Sequence, residues 1–132
     1  MGIRYEKDTI LNWINEMGKF LRLLVDKRSG MEDRPMEDTA ITAGYLDFFG
    51  KERSFFQQAG ADELLAYVAT LDIAQVRPLA LLMMHDGFLQ QDKGLLGQAK
   101  FLLNDHMRKT GAFSFEDYAY LADIDKHIEL FS

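Results

Sequence analysis

The chain has no cysteine in its 132 residues, which excludes a disulfide framework, a thiolate zinc site and a cysteine nucleophile. Proline is nearly as scarce. Only Pro35 and Pro78 interrupt a chain otherwise free of the residue that breaks helices most reliably. Positive charge is in deficit, with 15 Lys and Arg against 21 Asp and Glu and a formal net charge of −6. That is the wrong sign for a domain that clings to phosphate backbones, so no nucleic-acid partner is expected. Long hydrophobic runs are missing as well: the greasiest, Leu79 to Met84, is stopped by His85 and Asp86, far short of the roughly 18 apolar residues that mark a membrane span. The opening Met1-Gly2-Ile3-Arg4-Tyr5-Glu6-Lys7-Asp8 scatters charge where a signal peptide needs an apolar core, and it lacks the Ser or Thr of a myristoylation signal. The expected location is the cytoplasm, with no membrane partner.

What is present is 48% hydrophobic and 27% charged residues, the balance of one globular domain spanning 1–132. Apolar residues recur at spacings of three and four through most of the chain, which predicts an all-α fold. Over about residues 4–27, Ile10, Ile14, Met17, Leu21 and Leu24 keep to one line of a helix, and Leu11, Val25, Trp13 and Phe20 widen it to about half the circumference at ~100° per residue. Residues 27–36 collect Lys27, Arg28, Ser29, Gly30, Glu32, Asp33, Arg34 and Pro35, the composition of an exposed connection. A shorter helix is expected from Met36 or Thr39 to Phe49, closed by Gly50 in a left-handed conformation. Residues 51–60 are ambiguous, with Phe55-Phe56 expected to plug a neighbouring core. Asp62 and Glu63 suit a helix N-terminus ahead of the stripe Leu64, Tyr67, Val68 and Leu71.

The C-terminal half, about 61–131, reads as a helical-hairpin array. Pro78 lacks a backbone donor, so regular helix is expected only from about Arg77, with Pro78 in the first turn, running to about Gln90. Asp92 caps a helix that carries Leu95, Leu96, Ala99, Leu102, Leu103 and Met107 and ends at Gly111. Ser114 and Asp117 form a capping-box pattern, with Phe113 and Tyr118 as its hydrophobic staple. Helices near 77–90, 93–110 and 114–131, joined by short turns, should lie antiparallel to their neighbours. Gly87 and Ala99 have the spacing of the small residues that let the helices of a tetratricopeptide hairpin cross closely.

The segment Tyr5-Glu6-Lys7-Asp8-Thr9-Ile10-Leu11 with Ile14, Leu21 and Leu24, followed by the 77–131 array, resembles a family of small uncharacterised bacterial all-helical proteins, tetratricopeptide-like in the C-terminal half. The resemblance covers both ends of the chain and leaves the middle unanchored. It implies a bacterial cytoplasmic protein with an all-α fold, and it transfers no catalytic residue.

Candidate chemistry is thin. His85, His106 and His127 each have an acid nearby, but helix rise places His106 on the order of 10 Å from the level of either neighbour, so no shared metal site is expected. The pairs Glu32-Asp33, Glu37-Asp38, Asp62-Glu63 and Glu116-Asp117 mostly precede helices, where the dipole accounts for them. No Glu-x-x-His pattern, nucleophile elbow or phosphate-binding glycine loop occurs. Asp123 and His127 suit a surface i,i+4 pair. Gly94 and Gly97 suggest close helix contacts, and Lys27, Arg28, Arg34, Lys51 and Arg53 suggest a solvated surface. No catalytic, cofactor or metal residue is assigned.

The surplus of large apolar groups, ten Phe, five Tyr, seven Met and one Trp, leaves material to cover a partner. The candidate partner-binding residues are Ile10, Trp13, Ile14, Met17, Phe20, Leu21 and Leu24, on a face wide enough either to wrap its own bundle or to pair with a copy of itself. Met83, Met84 and Met107 suggest an adaptable peptide groove. The leading expectation is a non-enzymatic interaction or scaffolding module that self-associates as a homodimer. The alternatives are a small-molecule or peptide-binding helical domain and a metal-dependent enzyme.

Overall fold

A computed structural model describes residues 7–30, 36–112 and 114–131. The described residues form seven helices and no strand: α1 (Lys7–Ser29), α2 (Asp38–Phe49), α3 (Arg53–Gln58), α4 (Ala61–Val68), α5 (Ile73–Gln90), α6 (Lys93–Thr110) and α7 (Phe115–Leu130). The fold is all-α.

Two long helices make the centre. The turn between α5 and α6 is closed by Gln91, held at φ 52° as the α5 C-cap, and by Asp92, whose carboxylate accepts from the Leu95 amide at 3.2 Å. So short a turn obliges α5 and α6 to run antiparallel. α1 and α6 both pack along α5, α7 packs on α6, and α3 leans on α6. α5 is therefore enclosed: every residue from Leu79 to Phe88 is buried. A helix apolar all round belongs in a core, and each Leu or Met sunk here contributes about 1.5–3 kcal/mol.

The start of α5 departs from expectation. The helix begins at Ile73, four residues ahead of Arg77, and Pro78 lies inside it. A full capping box explains this: Asp72 accepts from the Ala74 amide at 2.9 Å and the Gln75 side chain accepts from the Asp72 amide at 2.9 Å. The hydrogen bond that Pro78 cannot make would have gone to Ala74, an exposed residue, where water can take its place.

At α7 only half of the expected motif forms. Ser114 accepts from the Asp117 amide at 3.1 Å, but the Asp117 carboxylate turns to Arg77 instead, receiving Nη2–H at 2.7 Å. Phe113, the proposed staple, lies outside the described residues, as do Glu32, Asp33, Arg34 and Pro35 of the expected connection and Tyr5 and Glu6 of the opening segment.

The ambiguous stretch resolves into α3, and Phe56 is fully buried with its ring stacked 5.4 Å from Tyr45. Gly50 and Gly111 close α2 and α6 at φ 69° and 68°, where a side chain would be strained. Gly87 faces Leu96: a Cβ there would sit 2.8 Å from Leu96 Cδ2 and 3.2 Å from the Leu96 amide nitrogen. Gly94 likewise faces the Gln57 carbonyl, but Gly97 has open space around it and makes no close helix contact.

Candidate functional site

α1 turns its broad face inward. Trp13, Met17 and Leu24 are core residues, while Ile10, Ile14, Phe20 and Leu21 are half-buried against that core. Trp13 stands edge-on to Phe48 and Phe49, with ring centroids 5.8 and 5.5 Å apart, and donates its indole N–H to the Phe48 carbonyl at 3.3 Å. Phe20 fills the space over Gly44, whose missing Cβ leaves room for the ring. All seven candidate partner-binding residues thus contact the protein's own interior.

A neighbouring line remains uncovered. Leu11 is 50% exposed and Val25 44%, and between them Gly18 is exposed with no atom within 4 Å of where its Cβ would be. Half-buried Ile14 and Leu21 border this line. Positions 11, 14, 18, 21 and 25 alternate spacings of three and four, the heptad seam of paired helices. Leu11 and Val25 are expected to widen the inward stripe, but they lie fourteen residues apart, two heptads that meet at Gly18, and that periodicity is the signal that separates them from it.

A second feature lies under α2 and α3, and sequence reasoning missed it. Asp86 is fully buried. Its carboxylate receives Arg53 Nε–H at 2.8 Å, Arg53 Nη2–H at 2.9 Å and the Tyr45 hydroxyl at 2.7 Å. Arg53 reaches on to Asp38 at 2.8 Å, and Gln90 donates to the same Asp38 oxygen at 2.9 Å. Burial opposes the Arg53 charge, but its bonds to Asp38 and Asp86 outweigh burial and hold the guanidinium above its ordinary value. Burial and the adjacent Asp86 carboxylate push the Tyr45 phenol well up. A charge ending an apolar run must find a partner if it is buried, and that was the available signal. This network ties α2, α3 and α5 together, with Asp86 sealed from solvent and Asp38 at its exposed edge.

The histidines divide differently from the expected pattern. α5 and α7 touch directly, His85 standing 6.5 Å from the Tyr120 ring and Phe88 4.4 Å from that of His127, so His85 and His127 join one cluster. Arg28 donates to His85 Nδ1 at 3.3 Å, lies 4.1 Å over the Phe88 ring and stands 3.9 Å from the Asp123 carboxylate. The Phe88 and His127 rings are 4.4 Å apart, and His127 Nδ1 meets the Asp123 carbonyl at 2.8 Å and its carboxylate at 3.7 Å. Burial, reinforced by the Arg28 charge, lowers His85 to about 4, so it faces the guanidinium as a neutral acceptor. His106 lies at the other end of α6. Among the described residues, no group of three or more His, Asp or Glu could hold a metal ion.

Two further expectations are corrected. Of the basic residues expected on a solvated surface, Arg28 and Lys51 are exposed and Lys27 is half-buried, but Arg53 is sunk in the Asp86 network. Arg34 lies outside the described residues. Met83, Met84 and Met107 line no peptide groove, because all three are buried in the interior.

Two broad surface clefts of about 520 Å³ flank α3 and share Leu46, Glu52 and Ser54 in their walls. A smaller one of about 150 Å³ lies where α4, the start of α5 and the end of α6 meet. No helix among the described residues is long and apolar enough to cross a membrane. No family model, curated protein or solved structure matches the chain.

Proposed function

We propose that the protein is a non-enzymatic interaction module that self-associates through α1, two copies pairing along Leu11, Ile14, Gly18, Leu21 and Val25. The observation that carries this reading is the uncovered apolar line with a glycine at its middle. Leu11 and Val25 stay in water in the single chain, and the absent side chain at Gly18 lets two helix backbones approach closely. Pairing two copies about Gly18 would cover both exposed residues on each, as an isologous contact requires. The seven inward residues Ile10, Trp13, Ile14, Met17, Phe20, Leu21 and Leu24 serve as the platform that holds the seam rigid, with Ile14 and Leu21 belonging to both faces.

The same reading places the module in a bacterial cytoplasm as one helical domain, its C-terminal half a tetratricopeptide-like array of antiparallel hairpins. Supporting the array are the successive packing of α5, α6 and α7 and the close approach of α6 to Gly87.

Sedimentation equilibrium over micromolar to millimolar protein tests self-association. The wild type should form a dimer, and the Leu11→Lys/Val25→Lys double variant should be monomeric with unchanged helical content. A wild type that is monomeric across the whole range would overturn the proposal.

A further inference from the structure

The clefts that flank α3 join into one trough. The α2-side cleft shares Leu46, Glu52 and Ser54 with the middle one. The middle one in turn shares Gly50, Lys51, Phe55 and Glu63 with a third cleft of about 570 Å³, which continues along α4 past Ala66 to Thr70. The trough thus passes from α2 across α3 to α4, and no residue of the α1 seam lines it. Its centre is apolar: Leu46, 49% exposed, stands where the first two clefts meet, and half-buried Phe55 where the last two do. A small ligand needs most of its surface covered, which so long and open a channel does not provide. A length of polypeptide laid along it needs only one side covered.

Charge narrows the polypeptide. Glu52 belongs to the α2-side and middle clefts and Glu63 to the middle and α4-side clefts, so two carboxylates bracket the apolar centre. Both are exposed, and neither forms an ion pair among the described residues. Glu52 is the N-cap residue of α3, yet its side chain makes no cap hydrogen bond, which leaves that carboxylate to an outside partner. The neighbouring cations are engaged elsewhere: Arg53 is held by Asp38 and Asp86, and Lys51 lies 5.0 Å over the Phe55 ring. At a net charge of −6 the molecule repels an acidic segment or a second copy at this rim and draws in a basic one.

We propose that this trough docks a basic segment of another protein, with one large apolar side chain seated between Leu46 and Phe55 and a Lys or Arg on either side of it paired to Glu52 and Glu63. The apolar contact is the anchor. The two ion pairs lie at the exposed rim, where such pairs add little affinity but fix which segment fits and in what register. Docking here is independent of pairing through α1, so either can fail without the other.

Fluorescence anisotropy with a labelled Lys-Lys-Trp-Lys-Lys peptide and the full chain, at low salt, tests the site. Binding should saturate with a Kd on the order of 100 μM. Replacing the peptide's Trp by Gly should weaken it about tenfold through loss of the anchor, and Leu46→Ser in the protein should do the same. Glu52→Lys/Glu63→Lys should also weaken it about tenfold, whereas Glu16→Lys/Glu129→Lys, an equal change of charge on α1 and α7, should weaken it less than about threefold. If the Glu52/Glu63 double variant does not fold, Leu46→Ser, at an exposed position, decides. The proposal is overturned if binding does not saturate, if the Gly peptide binds as well as the Trp peptide, or if the α1/α7 variant loses as much as the trough variant. It is equally overturned if the trough variant changes sedimentation of the protein and not peptide binding, which would make the trough a contact between copies.

Discussion

Along α5 every residue from Leu79 to Phe88 is buried, whereas α1, packed beside it, buries Trp13, Met17 and Leu24 and leaves Leu11, Gly18 and Val25 in the open. The two helices carry polar groups under different rules as a result. On α1 a polar side chain can face water. Along residues 79–88 of α5 there is no such face, so Asp86 and His85 each needed a partner brought from elsewhere: Arg53 and Tyr45 for the carboxylate, Arg28 for the imidazole. Enclosure thus converts ordinary surface residues of α1, α2 and α3 into structural ones. The exposed flank of α1 carries no such obligation, and it is the part of the helix left available to a partner.

The largest effect should come from breaking the enclosed side of this contrast. Asp86→Ala leaves the largely buried Arg53 guanidinium and the Tyr45 hydroxyl without their acceptor, and urea denaturation should register a loss of about 3–5 kcal/mol. Leu11→Ala, on the open flank of α1, should cost less than about 0.5 kcal/mol at concentrations where the protein is monomeric. Equal losses would mean that the two helices are not so different after all.

Next in size is the pH effect of His85 on α5. His85 is lowered from 6.5 to about 4 in the folded protein, so between those values the unfolded chain binds the proton and the native state does not. Stability should therefore fall as the pH drops from 6.5 towards 4 and level off below, by about 3 kcal/mol from this residue. Denaturation midpoints across that range measure it, and His85→Leu should flatten this part of the curve.

The glycines give the finest comparison. Gly87→Ala drives a Cβ against Leu96, whose backbone nitrogen is 3.2 Å away and cannot swing aside. The gain in helix propensity offsets only part of this, leaving a net loss of about 1 kcal/mol. Gly97→Ala, in a helix of the same length but with open space around it, should raise stability by about 0.5–1 kcal/mol. Thermal melts of the two variants should move in opposite directions.

Much of this architecture was legible in the residues. Alternating apolar spacings gave all seven helices except α3 and the first turn of α5, and Gly50, Asp92, Gly111 and Ser114 marked ends that the structure retains. The early start of α5 is not legible from Pro78 alone, because a proline ends a helix only where its lost hydrogen bond has no substitute, and here that bond falls at exposed Ala74. The depth of a histidine along successive helices separates His85 from His106, but it says nothing of His127, which the direct contact of α7 with Phe88 brings into the His85 cluster. Asp86 was noted only as the end of an apolar run. Its partner Arg53 lies 33 residues away, and no local pattern links them.

By itself the sequence determined which segments coil, where most of them stop and which stripe of each is apolar, since those follow from propensity, capping and a period of 3.6 residues. Only the tertiary structure decided that residues 79–88 of α5 are enclosed on all sides, that Asp86 and Arg53 must meet, that α1 keeps a second apolar line uncovered and that a small cleft remains beside His106. The reason is that burial, pairing and cavities depend on which helices become neighbours, and in a chain joined by short turns that is settled by contacts between residues far apart in the sequence.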